Sequence, residues 1–257
     1  MKKLVLLGAS LNSGNRGVNA LTKSEIILAV KKYGDDVTIT ILSASVSRDV
    51  VQIVDWNGKE IRIKGDDNYR KETFNNLQQL SSNKLVLLKT GIVVEASSYK
   101  GKSSQIYLTG TISGNGKDKV NGSALVHDVI SDKHTATIQE GKENGFNPSS
   151  RTNASTAEIG SGGTLVFNNE TNGIIRGIVN QDGTDYTSDQ SILGHELLHA
   201  RHSFQGTVNY RNVNVNDPDN PLNSTLPMEE LRTRRFENYI RREQGDKLRA
   251  QPTRINQ

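Results

Sequence analysis

The sequence predicts an α+β fold in which a small mixed sheet packs against several helices. Three observations favour this class. Short apolar runs of strand length recur along the chain, amphipathic helices are indicated at 66–80 and 228–244, and an H-E-x-x-H motif at 195–199 lies among apolar residues at helical spacing. With 257 residues, the chain can form one sizeable core, or one domain and a small appendage.

The composition predicts a polar, loop-rich and soluble protein without a membrane span. Hydrophobic residues make up 33% of the chain, 23 residues are glycine, and no apolar run approaches the ~18 residues of a membrane helix. Residues 1–10 imitate the start of a signal peptide, but their apolar part ends too soon, so we interpret them as a strand. The absence of cysteine excludes disulfide scaffolds and thiolate zinc sites, so any metal must be bound by histidine and carboxylate groups.

The net charge of +4 is concentrated near the end of the chain. Residues 232–254 carry eight Lys and Arg against three Asp and Glu, a run that is most typical of a solvated helix face. We predict no nucleic-acid partner, because aromatic stacking platforms are not interleaved with these charges. A non-catalytic basic interaction module remains an alternative function.

Residues 1–42 follow a β-α-β pattern, with a strand at 3–8, a glycine-rich turn at 8–17, a helix at 18–33 and a strand at 37–42. The turn could hold a phosphate at the helix N-terminus, although its spacing matches neither the Walker pattern nor G-x-G-x-x-G. The strand and the turn resemble the opening of polysaccharide pyruvyltransferase-like proteins. This resemblance implies a sugar or pyruvyl transferase-type nucleotide-binding protein as an alternative function.

We therefore predict two domains, with 1–45 as a β-α-β appendage and 46–257 as the main domain. The junction is expected near residues 43–48. Because the motif helix and the last helix both lie in the main domain, we expect that domain to fold without the first 42 residues.

The first half of the main domain is predicted to contain strands and one amphipathic helix. In chain order we expect a hairpin of strands 50–54 and 60–64 across the turn dipeptide Asn57-Gly58, a helix at 66–80, a strand or short helix at 85–88, and strands at 91–95 and 104–111. The helix should turn four side chains inward: Tyr69, Phe74, Leu77 and Leu80.

Residues 113–161 are rich in Gly, Asn, Ser and Lys and show little periodicity. We predict a long exposed loop or short irregular strands there. His127 and His134 lie in this segment without ligand spacing, and we interpret both as ordinary polar residues.

The H-E-x-x-H motif is predicted to lie on a helix. His195 and His199 are four residues apart, so both imidazoles leave one face and can bind one Zn²⁺ ion, with Glu196 beside them as a proton acceptor. A capping box at 187–190 with Thr187 as N-cap and a stop at Gly206 frame the helix. The alternative is an amphipathic surface helix with two solvated histidines.

Two further parts of the chain frame this helix. His202 lies on roughly the same face as the motif, but the metzincin pattern needs its third histidine ten residues after the first, so we interpret His202 as a polar or supporting residue. The run 163–168 indicates a strand. In zinc peptidases of this helix type the preceding strand often forms the sheet edge that pairs with substrate, which makes Thr164, Val166 and Asn168 candidates. A plain core strand is equally consistent.

A last helix is predicted after a loop at 209–223. Pro227 should open the helix, which should run from about 228 to 244 and stop at Gly245. This helix carries the adjacent carboxylates Glu229 and Glu230.

Three segments together resemble a known family. The letters H-E-L-L-H-A at 195–200, M-E-E-L-R-T at 228–233 and E-N-Y-I-R-R-E at 237–243 resemble the NleD-like effector zinc metalloproteases. They are also locally similar to botulinum-type neurotoxin light chains, which share an H-E-L-x-H helix and a later E-E-L-x-T segment. The resemblance extends less specifically over about residues 50–250. One departure is Arg234-Arg235, where relatives tend to have small or apolar residues.

The resemblance implies a zincin-like metalloprotease whose C-terminal helix carries the third metal ligand. It further implies secretion by a bacterium, delivery into a host-cell cytoplasm and cleavage of a host protein, with kinase activation loops a known target class. The expected ligands are His195, His199 and Glu230, and the expected general base is Glu196.

The third ligand and the oxyanion donor are the open parts of this site. Adjacent residues on a helix point about 100° apart, so only one of Glu229 and Glu230 can face the metal. We predict Glu230, because the resemblance aligns the second carboxylate and Glu229 can satisfy N–H groups at the helix start. Tyr239 or Arg242 is a candidate to stabilise the oxyanion.

Overall fold

The computed structural model describes the strands at 2–7 and 37–42 and residues 60–112, 119–169, 178–222 and 225–255. The chain separates into two units, residues 1–57 and residues 58–257. In the first unit, β1 (Lys2–Leu7) and β2 (Val37–Leu42) pair in parallel, as a β-α-β pattern predicts. The predicted turn at 8–17, helix at 18–33, junction at 43–48 and strand at 50–54 lie outside the described residues. The two predicted domains stay a prediction.

The second unit contains strands and helices that do not follow a regular β-α repeat. Its described elements are, in chain order, β3 (Ile61–Lys64), α1 (Asp67–Leu80), β4 (Leu85–Leu88), β5 (Ile92–Glu95), β6 (Ile106–Thr109), α2 (Val120–Ser131), β7 (Ala136–Glu140), β8 (Gly145–Pro148), α3 (Arg151–Ala154), β9 (Gly163–Phe167), α4 (Asp189–Phe204), β10 (Asn212–Asn216), β11 (Thr225–Pro227), α5 (Met228–Gln244) and β12 (Thr253–Arg254).

The main sheet is mixed and has the strand order β6-β4-β5-β3-β7-β9-β8. The central pairs β3–β7 and β7–β9 are parallel, whereas the outer pairs are antiparallel. The α+β class is therefore confirmed. Strand β3 was expected to form a hairpin with residues 50–54. It pairs instead with β5 on one side and with β7 on the other, so both of its edges are occupied.

Helix α1 forms as its sequence predicts. Asp66 is its N-cap and accepts a hydrogen bond from the Tyr69 backbone N–H at 2.8 Å. The four side chains predicted to face inward are all buried: Tyr69, Phe74, Leu77 and Leu80. The ambiguous run at 85–88 is a strand, β4.

The prediction of a loop or irregular strands at 113–161 is wrong, because this segment contains α2, a central strand of the main sheet and the edge strand β8. Helix α2 buries Leu125, Val126, Val129 and Ile130 against the core. Its start is capped from another element, since the Glu243 carboxylate accepts from the backbone N–H groups of Asn121 at 2.7 Å and Gly122 at 2.9 Å.

The glycine in α2 has a packing reason. A Cβ atom at Gly122 would lie 2.1 Å from the Leu80 carbonyl oxygen, so only glycine allows the two helices to approach so closely. The Gly, Asn and Ser residues of this segment indicated a loop, but its apolar residues form a buried face that belongs to the core.

A small second sheet, β11-β10-β12, occupies part of the predicted loop at 209–223. It encloses a minor cluster of Val215, Leu226 and Leu231, which packs at the start of α5. The last helix has its predicted bounds, with Pro227 before it and Gly245 in a left-handed conformation, φ 79°, at its end. No helix in the described ranges is long and apolar enough to cross a bilayer.

We predict that Leu125→Ala destabilises the protein by about 2–5 kcal/mol, because the side chain is fully buried on α2 and its removal leaves a cavity. Val120→Ala, five residues earlier and 66% exposed, is the matched control and should cost less than about 0.5 kcal/mol. Urea unfolding of both variants measures the difference. Equally small losses would show that the segment does not belong to the core.

Candidate metal centre

The motif helix α4 is held rigidly in the middle of the second unit. It packs against α1, α2, α5, β8 and β9, and its apolar residues belong to the main core. Its N-cap is Ser188, whose hydroxyl accepts from the Ser191 N–H and donates to Asp246, so the prediction of Thr187 is wrong by one residue. Thr187 instead accepts a hydrogen bond from Arg241 Nη2 at 2.9 Å. The helix ends before Gly206, as predicted.

Three predicted ligand atoms converge between α4 and α5. The Nε2 atoms of His195 and His199 lie 3.1 Å apart. Glu230 Oε2 lies 3.2 Å from the Nε2 of His199 and 3.6 Å from that of His195. Together they form the group in the described residues that could hold a metal ion.

The opposite nitrogen of each imidazole is bound to a carboxylate from α5. His195 Nδ1 lies 2.9 Å from Glu237 Oε2, and His199 Nδ1 lies 3.0 Å from Glu229 Oε1. An imidazole that donates its Nδ1 proton to a carboxylate presents an unprotonated Nε2. In this neutral form, two nitrogen lone pairs and one carboxylate oxygen face each other, and a metal cation can bind between them; without a metal, protons on the imidazoles take its place.

The distances and the charge both fit a divalent metal. Tetrahedral zinc with N and O ligands at about 2.0–2.1 Å separates its ligand atoms by about 3.3 Å, close to the three distances observed. The charge balance is compatible with a bound cation, because six carboxylates surround three guanidinium groups, and without a metal the protons on His195 and His199 offset part of the remaining negative charge. The carboxylates belong to Glu196, Asp217, Asp219, Glu229, Glu230 and Glu237, and the guanidinium groups to Arg234, Arg241 and Arg249.

Glu229 and Glu230 have different partners, which separates their roles. Glu229 Oε1 accepts from His199 Nδ1, His202 Nδ1 at 2.7 Å and Thr233 Oγ1 at 3.1 Å, and so orients a ligand. The expectation that Glu229 satisfies N–H groups at the helix start is wrong. Its own N–H donates to a backbone carbonyl, that of Asn209.

His202 is a supporting residue and lies outside the ligand group. It is fully buried, and its Nδ1 donates to the carboxylate that also holds His199. Burial lowers the pKa of His202, which keeps the ring neutral. The other two histidines are ordinary polar residues as predicted, with His127 Nδ1 3.1 Å from Glu95 and His134 Nδ1 2.7 Å from Asp132.

Behind the ligands lies a chain of buried ion pairs. Glu237, which accepts from His195, also accepts from Arg249 Nη1 at 2.8 Å and from Arg241 Nε at 2.6 Å. The side chain of Arg241 is fully buried, and its hydrogen bond to Thr187 links α5 to the residue before the N-cap of α4.

The chain of ion pairs continues to the third ligand. Arg249 Nη2 donates to Asp219 Oδ2 at 2.6 Å, and Arg234 Nη1 lies 3.0 Å from the same oxygen and 2.7 Å from Asp217 Oδ1. Arg234 Nε donates to Glu230 Oε1 at 2.7 Å, which leaves Oε2 directed at the histidines. Asp217 and Asp219, the two carboxylates that follow β10, are thus bound to arginine.

These buried arginines were not predicted, because a basic run such as 232–254 is most typical of a solvated helix face. One signal was present: Arg234 and Arg241 each follow a glutamate, Glu230 and Glu237, by four residues, which places each pair on one face of the helix.

The two oxyanion candidates lie away from the metal group. Tyr239 is 47% exposed and stacks beside Arg242, whose guanidinium carbon lies 5.5 Å from the ring centre. Relative to Glu230 they lie about 180° and 120° around α5. This placement argues against either of them as the donor that stabilises the oxyanion.

The predicted substrate strand is also not a sheet edge. β9 pairs with β7 on one side and β8 on the other, so Thr164 and Val166 already have backbone partners on both sides. Asn168 follows the strand, and its N–H donates to Asn144 Oδ1. The prediction is wrong because 145–148, assigned to a loop region, forms the edge.

Protonation at the group follows its surroundings. Burial opposes charge on both histidines, but the carboxylates outweigh it. Glu230 and Glu237 raise the pKa of His195 to about 9, and Glu229 and Glu230 raise that of His199 to about 10. Although burial acts against it, the histidines hold the pKa of Glu230 well below its ordinary value. Burial raises the pKa of Glu196, which makes it a stronger proton acceptor.

Comparison of the chain with protein-family models and with curated proteins gives no match.

We predict that Glu230→Gln weakens Zn²⁺ binding more than Glu229→Gln. Glu230 offers an oxygen to the ligand group, whereas Glu229 orients His199, and loss of an orienting partner typically costs about 10–100-fold in affinity. Competition with a chromophoric chelator measures both affinities. The reverse order would assign the ligand to Glu229.

We also predict a pH-dependent stability for the chelator-treated protein. Because the folded-state pKa values of His195 and His199 lie above the ordinary 6.5, their contribution is complete below about pH 6.5 and is lost as the pH rises towards 9–10. The melting temperature should therefore fall by about 4 °C or more between pH 7 and 10.

Zn²⁺ should abolish this fall, since the ion replaces the protons. His134→Asn, outside the group, serves as the control and should keep the wild-type pH dependence. A melting temperature of the chelator-treated wild type that does not change between pH 7 and 10 would contradict the assignment.

Proposed function

We propose that the protein is a zinc-dependent endopeptidase with a zincin-like fold, in which His195, His199 and Glu230 hold Zn²⁺. The observation that carries the proposal is the convergence of two imidazole Nε2 atoms and one carboxylate oxygen, each turned inward by a partner on its far side. The motif lies on a buried helix, which argues against two solvated histidines on a surface helix.

A bound zinc ion would polarise a peptide carbonyl and lower the pKa of a bound water towards about 7. Glu196 is assigned the role of general base, because it follows His195 directly and is buried with a raised pKa. It takes a proton from the attacking water and passes it to the leaving amine. Glu229 and Glu237 fix the ring orientations, and Arg234 directs one oxygen of Glu230 to the group.

The substrate strand is reassigned to β8. Ser149 N–H donates to the Gly162 carbonyl, so the alternation of an antiparallel ladder turns residues 147 and 145 towards β9. Phe146 N–H and C=O then face the outer edge, where the described residues provide no strand partner. Because α4 packs against β8, an extended peptide paired there would lie beside the motif helix.

The biological setting is proposed from the resemblance alone. The segments at 195–200, 228–233 and 237–243 support a secreted bacterial effector or toxin that cleaves a host protein, for which kinase activation loops are a candidate class. Identification of new peptide N-termini in a eukaryotic cell lysate, together with metal analysis of the protein, tests both parts. The transferase function depends on the turn at 8–17, outside the described residues, and no observation favours it.

We predict that Glu196→Gln lowers peptide hydrolysis by at least about a hundredfold and leaves Zn²⁺ bound, because the amide keeps the shape but cannot accept the proton. The rate of appearance of new N-termini and the zinc content are measured on the same sample. Glu72→Gln, on the exposed face of α1, is the matched control and should keep full activity. Wild-type turnover by Glu196→Gln would eliminate this mechanism.

A further inference from the structure

The outer face of α5 carries a row of arginine and aromatic side chains, here called the arginine–aromatic stripe. It consists of Arg232, Arg235, Phe236, Tyr239 and Arg242. These residues lie at helical spacing on the side of α5 opposite Glu230, and from first to last they span about 15 Å. Phe236 is 39% exposed and Tyr239 is 47% exposed.

The positive charge of the stripe is not balanced. Within the described residues, no carboxylate lies in ion-pair distance of Arg232, Arg235 or Arg242, whereas Arg234 and Arg241, the buried arginines on the inner side of α5, are both paired. Arg232 Nη1 contacts a neutral group, the Thr207 hydroxyl, at 3.2 Å.

The arginines also crowd around the rings. The guanidinium groups of Arg201 and Arg232 lie 5.7 Å and 5.9 Å from the centre of Phe236, and Arg242 lies 5.5 Å from the centre of Tyr239. Arg201 is paired with Asp128 at 3.6 Å, whereas Arg232, beside the same ring, has no carboxylate partner among the described residues, so an anionic partner would reduce the repulsion between the two guanidinium groups.

We propose that the arginine–aromatic stripe docks an acidic segment of a partner protein. Guanidinium groups bind carboxylates with two parallel hydrogen bonds, and Tyr, Phe and Arg are the residues enriched in the cores of protein interfaces. About five residues of extended chain match the length of the stripe. Nucleic acid fits less well, because the rings of Phe236 and Tyr239 are tilted by 45° to each other and do not form parallel platforms for successive bases.

This docking surface does not depend on the metal centre. The stripe and Glu230 lie on opposite faces of α5, and no stripe residue contacts the ligand group. Binding can therefore be measured on the zinc-loaded full chain and on Glu196→Gln alike. If the two bind equally, failure of the proteolytic mechanism and failure of the docking surface remain separate results.

The probe is a fluorescein-labelled peptide of about ten residues in which glutamate alternates with leucine. Its affinity is measured by fluorescence anisotropy at about 50 mM salt, where surface electrostatics are only partly screened. The triple variant Arg232→Glu/Arg235→Glu/Arg242→Glu should raise the Kd by about tenfold or more. The matched control Lys84→Glu/Lys89→Glu/Lys100→Glu has the same change in charge on exposed sites elsewhere and should bind within about twofold of wild type.

Two further variants keep the test decisive. Tyr239→Ala retains every charge and should raise the Kd about two- to fivefold through lost aromatic contact. Arg235→Gln/Arg242→Gln changes only exposed side chains and should show a partial loss of affinity even if the triple variant fails to fold.

Equal losses of affinity in the arginine and lysine triple variants would overturn the proposal, because binding would then follow net charge. Absence of binding by wild type, or tighter stripe-dependent binding of a single-stranded oligonucleotide of equal charge, would overturn it too.

Discussion

The constraint on which the site depends is the approach of two imidazole Nε2 atoms to 3.1 Å. That approach is enforced from behind, where carboxylates of α5 hold both Nδ1 atoms, so the packing of α5 on α4 decides the geometry. Gly194 lies at this contact, and a Cβ atom there would lie 3.2 Å from Ile240 Cγ2 on α5, closer than an ordinary van der Waals contact. A side chain at 194 would therefore require Ile240 to shift.

The ion pairs behind the ligands connect the ligands to one another. Two metal ligands, His195 and Glu230, are connected by a chain of alternating charges. The chain runs from His195 through Glu237, Arg249, Asp219 and Arg234 to Glu230, so a shift of one ligand would disturb the other. Removing one member would leave a buried partner uncompensated, which typically costs about 3–5 kcal/mol. The network is thus better understood as a device for geometry than as a source of stability.

The sequence predicted those parts in which local pattern and tertiary contact agree. The α5 bounds, the inward face of α1 and the strand at 163–167 follow from capping, periodicity and apolar runs. Prediction failed where a distant residue supplies what the local sequence lacks. Gly122 accommodates the Leu80 carbonyl and Glu243 caps α2, and neither is visible in the composition of 113–161. The prediction that β9 forms a sheet edge failed for the same reason, because the order of strands in a sheet depends on the whole chain.

The basic run at 232–254 shows why a count of charges does not define a surface. Arg234, Arg241 and Arg249 are buried and paired, and they serve the metal group. On the outer face of the same helix, the arginine–aromatic stripe faces solvent without carboxylate partners among the described residues. A period of 3.6 residues divides one run into a neutralised inner face and a positive outer face. The outer face therefore carries much of the charge excess that the run presents to a partner, while the inner face determines where the ligands lie.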